Sequence, residues 1–188
     1  EGVAGRLGGN AGGAVTDRGT GAMAGATTIR ASGQDITLDQ AASTVGTLTV
    51  TGANVAVTEN AATDLGSSAI TATEINTPAR PVTLRGSQAI TGDATFTNTA
   101  GTDDAITLDD SSNAFGGTVT FATDSGSAVT IVDTTALDLV ALTAASLSAT
   151  SGGAVTDSGT LAIAGATTIS ASGQDITLDQ AASTVGTL

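Results

Sequence analysis

The stretch ASGQDITLDQAASTVGTL occupies residues 31–48 and recurs, letter for letter, at residues 171–188, which is 140 positions later (171 minus 31). The identity extends backwards, because residues 12–48 and 152–188 differ only at the pairs Arg18/Ser158, Gly21/Leu161, Met23/Ile163 and Arg30/Ser170. A single catalytic pocket gains nothing from being copied along a chain. A spacer or a multivalent surface does, so the duplication favours these two kinds of function.

Each copy contains a shorter pattern, in which a β-branched residue or leucine alternates with a small polar residue after a glycine-containing turn. Successive side chains of a strand point to opposite faces. In DITLD (35–39), Ile36 and Leu38 therefore face inward while Thr37 and Asp39 face water. The same rule predicts the inward pairs Val55/Val57, Val82/Leu84, Ile106/Leu108 and Val129/Ile131. Second strands are predicted at residues 47–51, 69–73, 94–98 and 117–121.

The first apolar residue of each pattern serves as an anchor, and the anchors are Val15, Ile36, Val55, Val82, Ile106, Val129, Val155 and Ile176. Two or three short strands in every unit of about 23 residues predict an all-β fold, a parallel β-helix or β-solenoid with one unit per coil. We expect residues 1–188 to form one continuous solenoid within a longer array. Its 140-residue super-repeat (12–151) would contain six coils and begin again at 152. Tandem immunoglobulin-like sandwiches are the alternative, although about 100 residues per domain fit this period poorly.

Two segments interrupt the alternation. Asp17 and Asp157 stand at positions that the pattern would bury. We expect the strand to end there in a turn that leaves the carboxylate exposed, because burial of a charge is costly. Residues 74–82 contain Pro78 and Pro81, which cannot donate to a hydrogen-bond ladder, so we expect a loop that bulges from the rod.

Composition excludes several classes of function. The net charge is −13, from 18 acidic residues against five arginines, which argues against nucleic-acid binding and against an anionic membrane surface. No apolar run approaches the roughly 18 residues of a transmembrane helix, so we expect no membrane insertion within this segment. Histidine, lysine, tyrosine and cysteine are absent. The sequence therefore predicts no enzyme, no catalytic residue and no cofactor.

Threonine pairs of the form T-x-T recur at intervals of 22–24 residues and suggest a candidate surface. If these threonines stacked, they would form a flat ladder on one face of the rod. Threonine ladders of this kind form the ice-binding surface of some β-solenoids, and this part of the sequence resembles them. The competing interpretation is that threonine is a favoured solvent-facing strand residue. An ice-binding or carbohydrate-binding face is accordingly the alternative function, with the residues Thr49, Thr51, Thr71, Thr73, Thr95, Thr97, Thr118 and Thr120.

The densest group of carboxylates lies in GTDDAITLDD (101–110) and consists of Asp103, Asp104, Asp109 and Asp110. Oxygen-rich groups of this kind can hold calcium. Neither the EF-hand spacing nor the glycine-rich calcium nonapeptide is present. A solvated acidic turn is therefore the favoured interpretation, with calcium as the alternative and no metal site predicted.

The motifs GAVTDSG (153–159), TLAIAGATTIS (160–170), DITLD (35–39) and LTVTGANVAVT (48–58) resemble the repeat region of filamentous-haemagglutinin-like exoproteins. Those proteins are large bacterial adhesins exported by two-partner secretion, and the matching motifs recur over most of the chain. The resemblance implies a secreted, right-handed β-helical shaft on or outside a bacterial cell. The family's secretion domain and receptor-binding tip have no counterpart here, so no residue inherits an adhesive role.

These observations together predict a structural extracellular fibre or adhesin stalk that serves attachment, biofilm formation or cell-to-cell contact. The ends of such a rod expose unpaired strand edges, so we expect chains to associate end to end into filaments. A cell-surface or carbohydrate ligand remains open. If the segment is a window onto a longer array, the residues after Leu188 should read approximately TVTGANV, as residues 49–55 do.

Overall fold

The fold is a stack of parallel β-coils in a computed structural model, which describes residues 7–23, 25–59, 61–77, 80–99 and 104–187. Every strand pairing in this part of the chain is parallel and joins one coil to the next. None of these residues forms a helix. The predicted all-β solenoid is confirmed, because the strands pair with strands of the neighbouring coils.

Two columns of paired strands run the length of the stack and share β7. Column 1 consists of β2 (Val15–Thr16), β5 (Ile36–Leu38), β7 (Thr47–Thr58), β9 (Ser68–Asn76), β12 (Ala94–Asn98), β15 (Thr118–Thr123), β17 (Leu137–Ala144), β19 (Val155–Thr156) and β22 (Ile176–Thr177). Column 2 consists of β1 (Leu7–Asn10), β4 (Thr27–Arg30), β7, β8 (Thr63–Leu65), β10 (Val82–Leu84), β13 (Ile106–Leu108), β16 (Ala128–Asp133), β18 (Ser146–Ser151) and β21 (Thr167–Ser170). Eight steps of about 4.8 Å give each column a length of about 38 Å.

Six short strands complete the coils at the corners between the columns. They are β3 (Ala22–Met23), β6 (Thr44–Val45), β11 (Gln88–Ile90), β14 (Ala114–Phe115), β20 (Leu161–Ile163) and β23 (Thr184–Val185). The strands β3 and β6 pair only with each other in the described part of the chain and form a separate two-stranded sheet. The second strands predicted at residues 47–51, 69–73, 94–98 and 117–121 all fall on observed strands.

The coils are shorter on average than the anchor spacing predicts. Paired residues lie between 17 positions apart (Thr47 and Asp64) and 25 positions apart (Ala94 and Val119). Seven successive pairings carry column 1 from Val15 to Val155, which is 20 residues per coil over the 140-residue repeat. The prediction of six coils per repeat is therefore wrong, and seven are present.

The error arises where the anchors change column. Val55 belongs to column 1 and pairs with Thr73 in the next coil, whereas Val82 belongs to column 2 and pairs with Thr63 in the coil before. The same change separates Val129 from Val155. Both columns carry the same alternation of apolar and small polar residues, so spacing alone cannot distinguish them. The two longest intervals between anchors, from Val55 to Val82 and from Val129 to Val155, coincide with these changes of column.

The predicted inward pairs form the core. All ten residues, from Ile36 to Ile131, are buried, with no side chain more than 8% exposed. Buried apolar residues stack on one another from coil to coil along the rod. Leu48, Leu65 and Leu84, for example, are paired in three successive coils. The three phenylalanines meet in the middle of the stack, where the Phe96 ring lies 6.3 Å from Phe115 and 5.7 Å from Phe121 between centroids. Each coil therefore buries its apolar side chains against those of its neighbours.

A row of buried polar side chains runs along one corner of the rod. This inner polar column consists of Ser68, Gln88, Asn113, Asp133 and Ser151, none more than 6% exposed. Ser68, Asn113 and Asp133 each accept a backbone N–H of the preceding coil, whereas Gln88 and Ser151 donate to backbone carbonyls. The Gln88 N–H donates to Asn113 Oδ1 at 2.9 Å, and the Phe115 N–H donates to Asp133 Oδ1 at 3.1 Å. The column thereby satisfies donors at a corner where the strands part.

The two interruptions of the alternation have different outcomes. Strands β2 and β19 end just before Asp17 and Asp157, as predicted. The expectation of an exposed carboxylate is wrong for Asp157, which is 3% exposed. Its oxygens accept the Asp179 N–H at 2.8 Å and the Ser183 hydroxyl at 3.2 Å, and these bonds compensate for burial. In the other segment, β9 continues to Asn76 and Pro81 precedes β10, while Pro78 lies outside the described residues.

Candidate functional surface

The T-x-T pairs do not form the ladder that their spacing predicts. Of the eight threonines, all within the described ranges, Thr95 and Thr120 are the two that stand in register in adjacent coils. Five of the other six are paired in the sheet with residues outside this set. Their register partners are Thr28 for Thr49, Ala69 for Thr51, Val55 and Ala94 for Thr73, Asn76 and Ala122 for Thr97, and Asp138 for Thr118. The carbonyl oxygen of Thr71 accepts the Gly92 N–H. Coils of unequal length place equally spaced residues on different parts of the rod.

A different row of hydroxyl groups does stand in register, on column 2. This hydroxyl row consists of the outward residues Thr83, Thr107, Thr130, Ser148 and Thr168. Each is the central residue of a short strand pattern such as VTL, ITL or VTI. The signal was therefore present in the sequence, in the outward position of the strands that define the core.

Column 1 carries a shallow acidic trough instead of a threonine ladder. Its floor consists of the small residues Ala56 and Ala72, and its volume is about 330 Å³. The carboxylates of Asp35, Glu74 and Asp93 line it. Glu74 and Asp93 are exposed, so their charges are solvated and contribute to the strongly acidic surface.

Aspartates at the start of column 1 strands also bind the coil that follows. Asp93 Oδ1 accepts the N–H and the hydroxyl of Thr118 at 2.9 and 2.8 Å. Asp138 Oδ1 accepts the Ser158 N–H at 2.9 Å, and Asp35 Oδ1 accepts the Asn54 N–H at 3.2 Å. Much of the negative charge therefore has a structural use as an acceptor between coils.

The hydrogen bonds from the Thr118 N–H and hydroxyl lower the pKa of Asp93 below its ordinary value of 3.8. A carboxyl whose folded-state pKa is lowered adds stability above its ordinary pKa and loses it as the pH falls towards the folded-state value. We expect Thr118→Val to raise the Asp93 pKa towards 3.8, because the variant removes one of the two donors. Carbon-detected NMR titration of the side-chain carboxyls measures this. Thr95→Val is the matched control and should leave the Asp93 pKa unchanged, whereas a wild-type value at or above 3.8 would contradict the prediction.

The carboxylates around residues 103–110 are only partly within the described residues. No group of three or more metal-ligating side chains converges among the residues that the structure describes there, and Asp103 lies outside them. Asp109 is exposed, and Asp110 Oδ1 accepts the Ser112 N–H at 2.9 Å in a tight turn. These contacts are those of an acidic turn.

A small cavity lies beside Gly21 in the first copy of the repeat. It has a volume of about 90 Å³, and its lining includes Gly21, Met23, Leu38 and Val57. A Cβ atom added to Gly21 would meet no atom within 4 Å. At the equivalent position of the second copy, Leu161 is completely buried. The first copy therefore has a cavity beside a position at which the second copy has a buried leucine.

We expect Gly21→Leu to stabilise the protein by about 2 kcal/mol, because it buries a leucine side chain in space that already exists. Urea unfolding followed by circular dichroism measures the change. The reciprocal variant Leu161→Gly is the matched control and should destabilise the second copy by about 3–5 kcal/mol. A Gly21→Leu variant no more stable than the wild type would show that the backbone requires glycine here.

Glu59 borders this cavity and is the most deeply buried glutamate, at 1% exposure. Its carboxylate accepts the Val45 N–H and the Thr63 hydroxyl, each at 2.7 Å. Burial raises the pKa of Glu59 above its ordinary 4.5, and these hydrogen bonds offset part of the effect. Between 4.5 and the raised value the folded state binds more protons than the unfolded chain. This group therefore makes the fold less stable as the pH rises through that window.

Comparison with known proteins identifies one family. A family model described as repeats of unknown function (DUF5649) matches residues 2–51, 52–122 and 126–188. No curated protein and no solved structure matches the chain. Within the described residues there is also no helix long and apolar enough to span a bilayer. The matches cover nearly the whole chain in three consecutive segments, in agreement with its repetitive coils.

Proposed function

The chain belongs to this family of repeats, and we propose that it is a structural element of an extracellular fibre or adhesin stalk on a bacterial cell surface. The observation that carries the proposal is that all strand pairings of the described residues run from coil to coil. Such a stack extends by adding coils, each of which contacts only its neighbours. A stiff rod of adjustable length is what a stalk requires, and this role involves no catalysis.

The surface supports the same proposal. A net charge of −13 keeps rods apart laterally and keeps them soluble. The motifs that resemble filamentous-haemagglutinin-like exoproteins support secretion and a location outside the cell, as in two-partner secretion systems. The proposed use is attachment, biofilm formation or contact between cells, with receptor binding supplied by parts of the assembly other than this rod.

End-to-end association is part of the proposal. Ile36 is completely buried because the next coil covers it, whereas the equivalent Ile176, in the same sequence context, is 46% exposed. The last described coil thus presents apolar side chains and strand edges that a further coil would cover. That further coil can belong to the same chain or to a second copy, and in the second case such head-to-tail contacts produce open filaments.

Electron cryomicroscopy of the full 188-residue chain tests the proposal. We expect elongated particles with a strong repeat near 4.8 Å along the long axis, which is the spacing between stacked strands. Particle length should increase with protein concentration if chains join end to end. Compact particles without this repeat would overturn the proposal, and so would immunogold label confined to the cytoplasm of the cells that produce the protein.

The hydroxyl row supports a second candidate function, an ice-binding or carbohydrate-binding face. Its five residues stand in adjacent coils at a regular spacing of about 4.8 Å. Thermal hysteresis and ice-crystal shaping by the purified rod test the first ligand, and a glycan array tests the second. Thr130→Lys should abolish either activity by placing a long charged side chain in the row. Absence of both activities in the wild type would leave the fibre as the supported function.

A further inference from the structure

The cavity beside Gly21 has the features of a small ligand site. It lies between the first three coils, and most of its lining is apolar, from Met23, Leu38, Val45 and Val57. Gly19 and Gly21 also line it, and neither would place a Cβ within 4 Å of another residue. Apolar cavities of this kind stay dry and accept small hydrocarbon groups.

The volume of the cavity fits a short branched alkyl group. The second copy has the larger or branched side chains of Leu161 and Ile163 at the equivalent positions, and these are 0% and 2% exposed. The first copy has Gly21 and Met23 at these positions. A ligand with the shape of a leucine side chain would therefore restore the packing that the second copy has by itself.

The polar part of the wall is acidic. Asp17 and Glu59 are the two charged residues that line the cavity. Among the described residues the one salt bridge joins Arg85 and Asp64, and no described arginine pairs with Asp17 or Glu59. Glu59 is held in place by the Val45 N–H and the Thr63 hydroxyl, and it reaches the cavity with its position fixed. A cationic group would find a complementary charge at this end of the cavity.

We propose that this cavity binds a short branched alkylamine, with the alkyl group in the place of the missing leucine and the ammonium group beside Glu59 and Asp17. The alkyl group would gain from leaving water, and the ammonium would donate charge-assisted hydrogen bonds to the carboxylates. This inference is independent of the fibre function, because the cavity lies within one chain.

Binding of isobutylamine to the full chain tests the proposal, with isobutanol as the uncharged probe of the same shape. In buffer with 150 mM salt, which screens the acidic surface, amide NMR signals of Met23, Val45 and Val57 should shift and saturate. We expect a dissociation constant on the order of 1 mM for the amine, given its few heavy atoms, and about tenfold weaker binding of the alcohol.

Two variants complete the test. Gly21→Leu keeps the net charge and fills the cavity, so it should lose binding of both probes. Equal binding of isobutylamine by this variant would overturn the proposal, because it would show that the amine associates with the acidic surface. Glu59→Gln should reduce the tenfold preference for the amine, because only the Asp17 carboxylate remains. If that variant does not fold, equal affinity of the wild type for the two probes would itself overturn the ionic part of the proposal.

Discussion

Asp133→Ala is expected to destabilise the protein by about 2–5 kcal/mol, because it leaves buried donors without an acceptor. Asp133 is 2% exposed and lies in the inner polar column. Its Oδ1 accepts the Phe115 N–H at 3.1 Å and the Thr135 N–H and hydroxyl at 3.0 Å each. Phe115 is completely buried, and the variant removes the acceptor of both N–H groups. Their desolvation is therefore uncompensated in the variant.

Two control variants separate this effect from the loss of a charge. Asp133→Asn keeps an oxygen at the same position and should cost about 1 kcal/mol, the difference between a charged and a neutral acceptor. Asp109→Ala removes one exposed carboxylate and should change stability by less than about 0.5 kcal/mol. Urea unfolding is followed by far-ultraviolet circular dichroism, since the chain has no tryptophan or tyrosine. Equal stability of Asp133→Ala and Asp109→Ala would contradict the structural role of the column.

The core could be predicted from the sequence because its physical cause is local. Alternation places every second side chain on one face, and residues such as Ile36 and Leu38 are buried wherever the strand pairs. The fold class followed from the same signal combined with the near-exact repeat. Neither inference depends on which strand lies next to which.

Register could not be predicted, because it depends on the length of each coil. Both columns repeat the same pattern, so Val55 and Val82 look equivalent although they lie in different columns. The threonine ladder failed for this reason: Thr71 and Thr95 are 24 positions apart, whereas the coil between them has 21 residues (Thr73 to Ala94). An error of a few residues in coil length moves a side chain to another part of the surface.

The inner polar column was missed although the sequence carries a signal for it. Its residues occupy inward positions of the alternation, as Gln88 does before Ile90, Asn113 before Phe115, and Asp133 after Ile131. A polar residue at an inward position is costly alone. It becomes favourable where the chain turns a corner and backbone donors lack partners, and this context appears only in three dimensions.

Phe96→Ala is expected to destabilise the protein by about 3–5 kcal/mol, because it opens a large cavity at the centre of the rod. Phe96 is completely buried and contacts two phenylalanines of the following coil, edge-on with Phe115 and stacked on Phe121. Its coil also pairs with β9 on one side and β15 on the other. Removal of the ring therefore weakens two interfaces between coils at once.

Where that loss appears distinguishes a stack of coils from a single cooperative core. In a quasi-one-dimensional protein, stability is a sum of repeat and nearest-neighbour terms. Amide hydrogen exchange in Phe96→Ala should therefore accelerate most in β9, β12 and β15, and least in distant strands such as β21. Phe96→Leu, which keeps much of the volume, should cost less than about 1.5 kcal/mol and show the same local pattern more weakly. Uniform acceleration along the whole chain would contradict additive stacking. Local acceleration would mean that a rod of this kind tolerates a weak coil without losing the rest, which is the mechanical property that a long stalk requires.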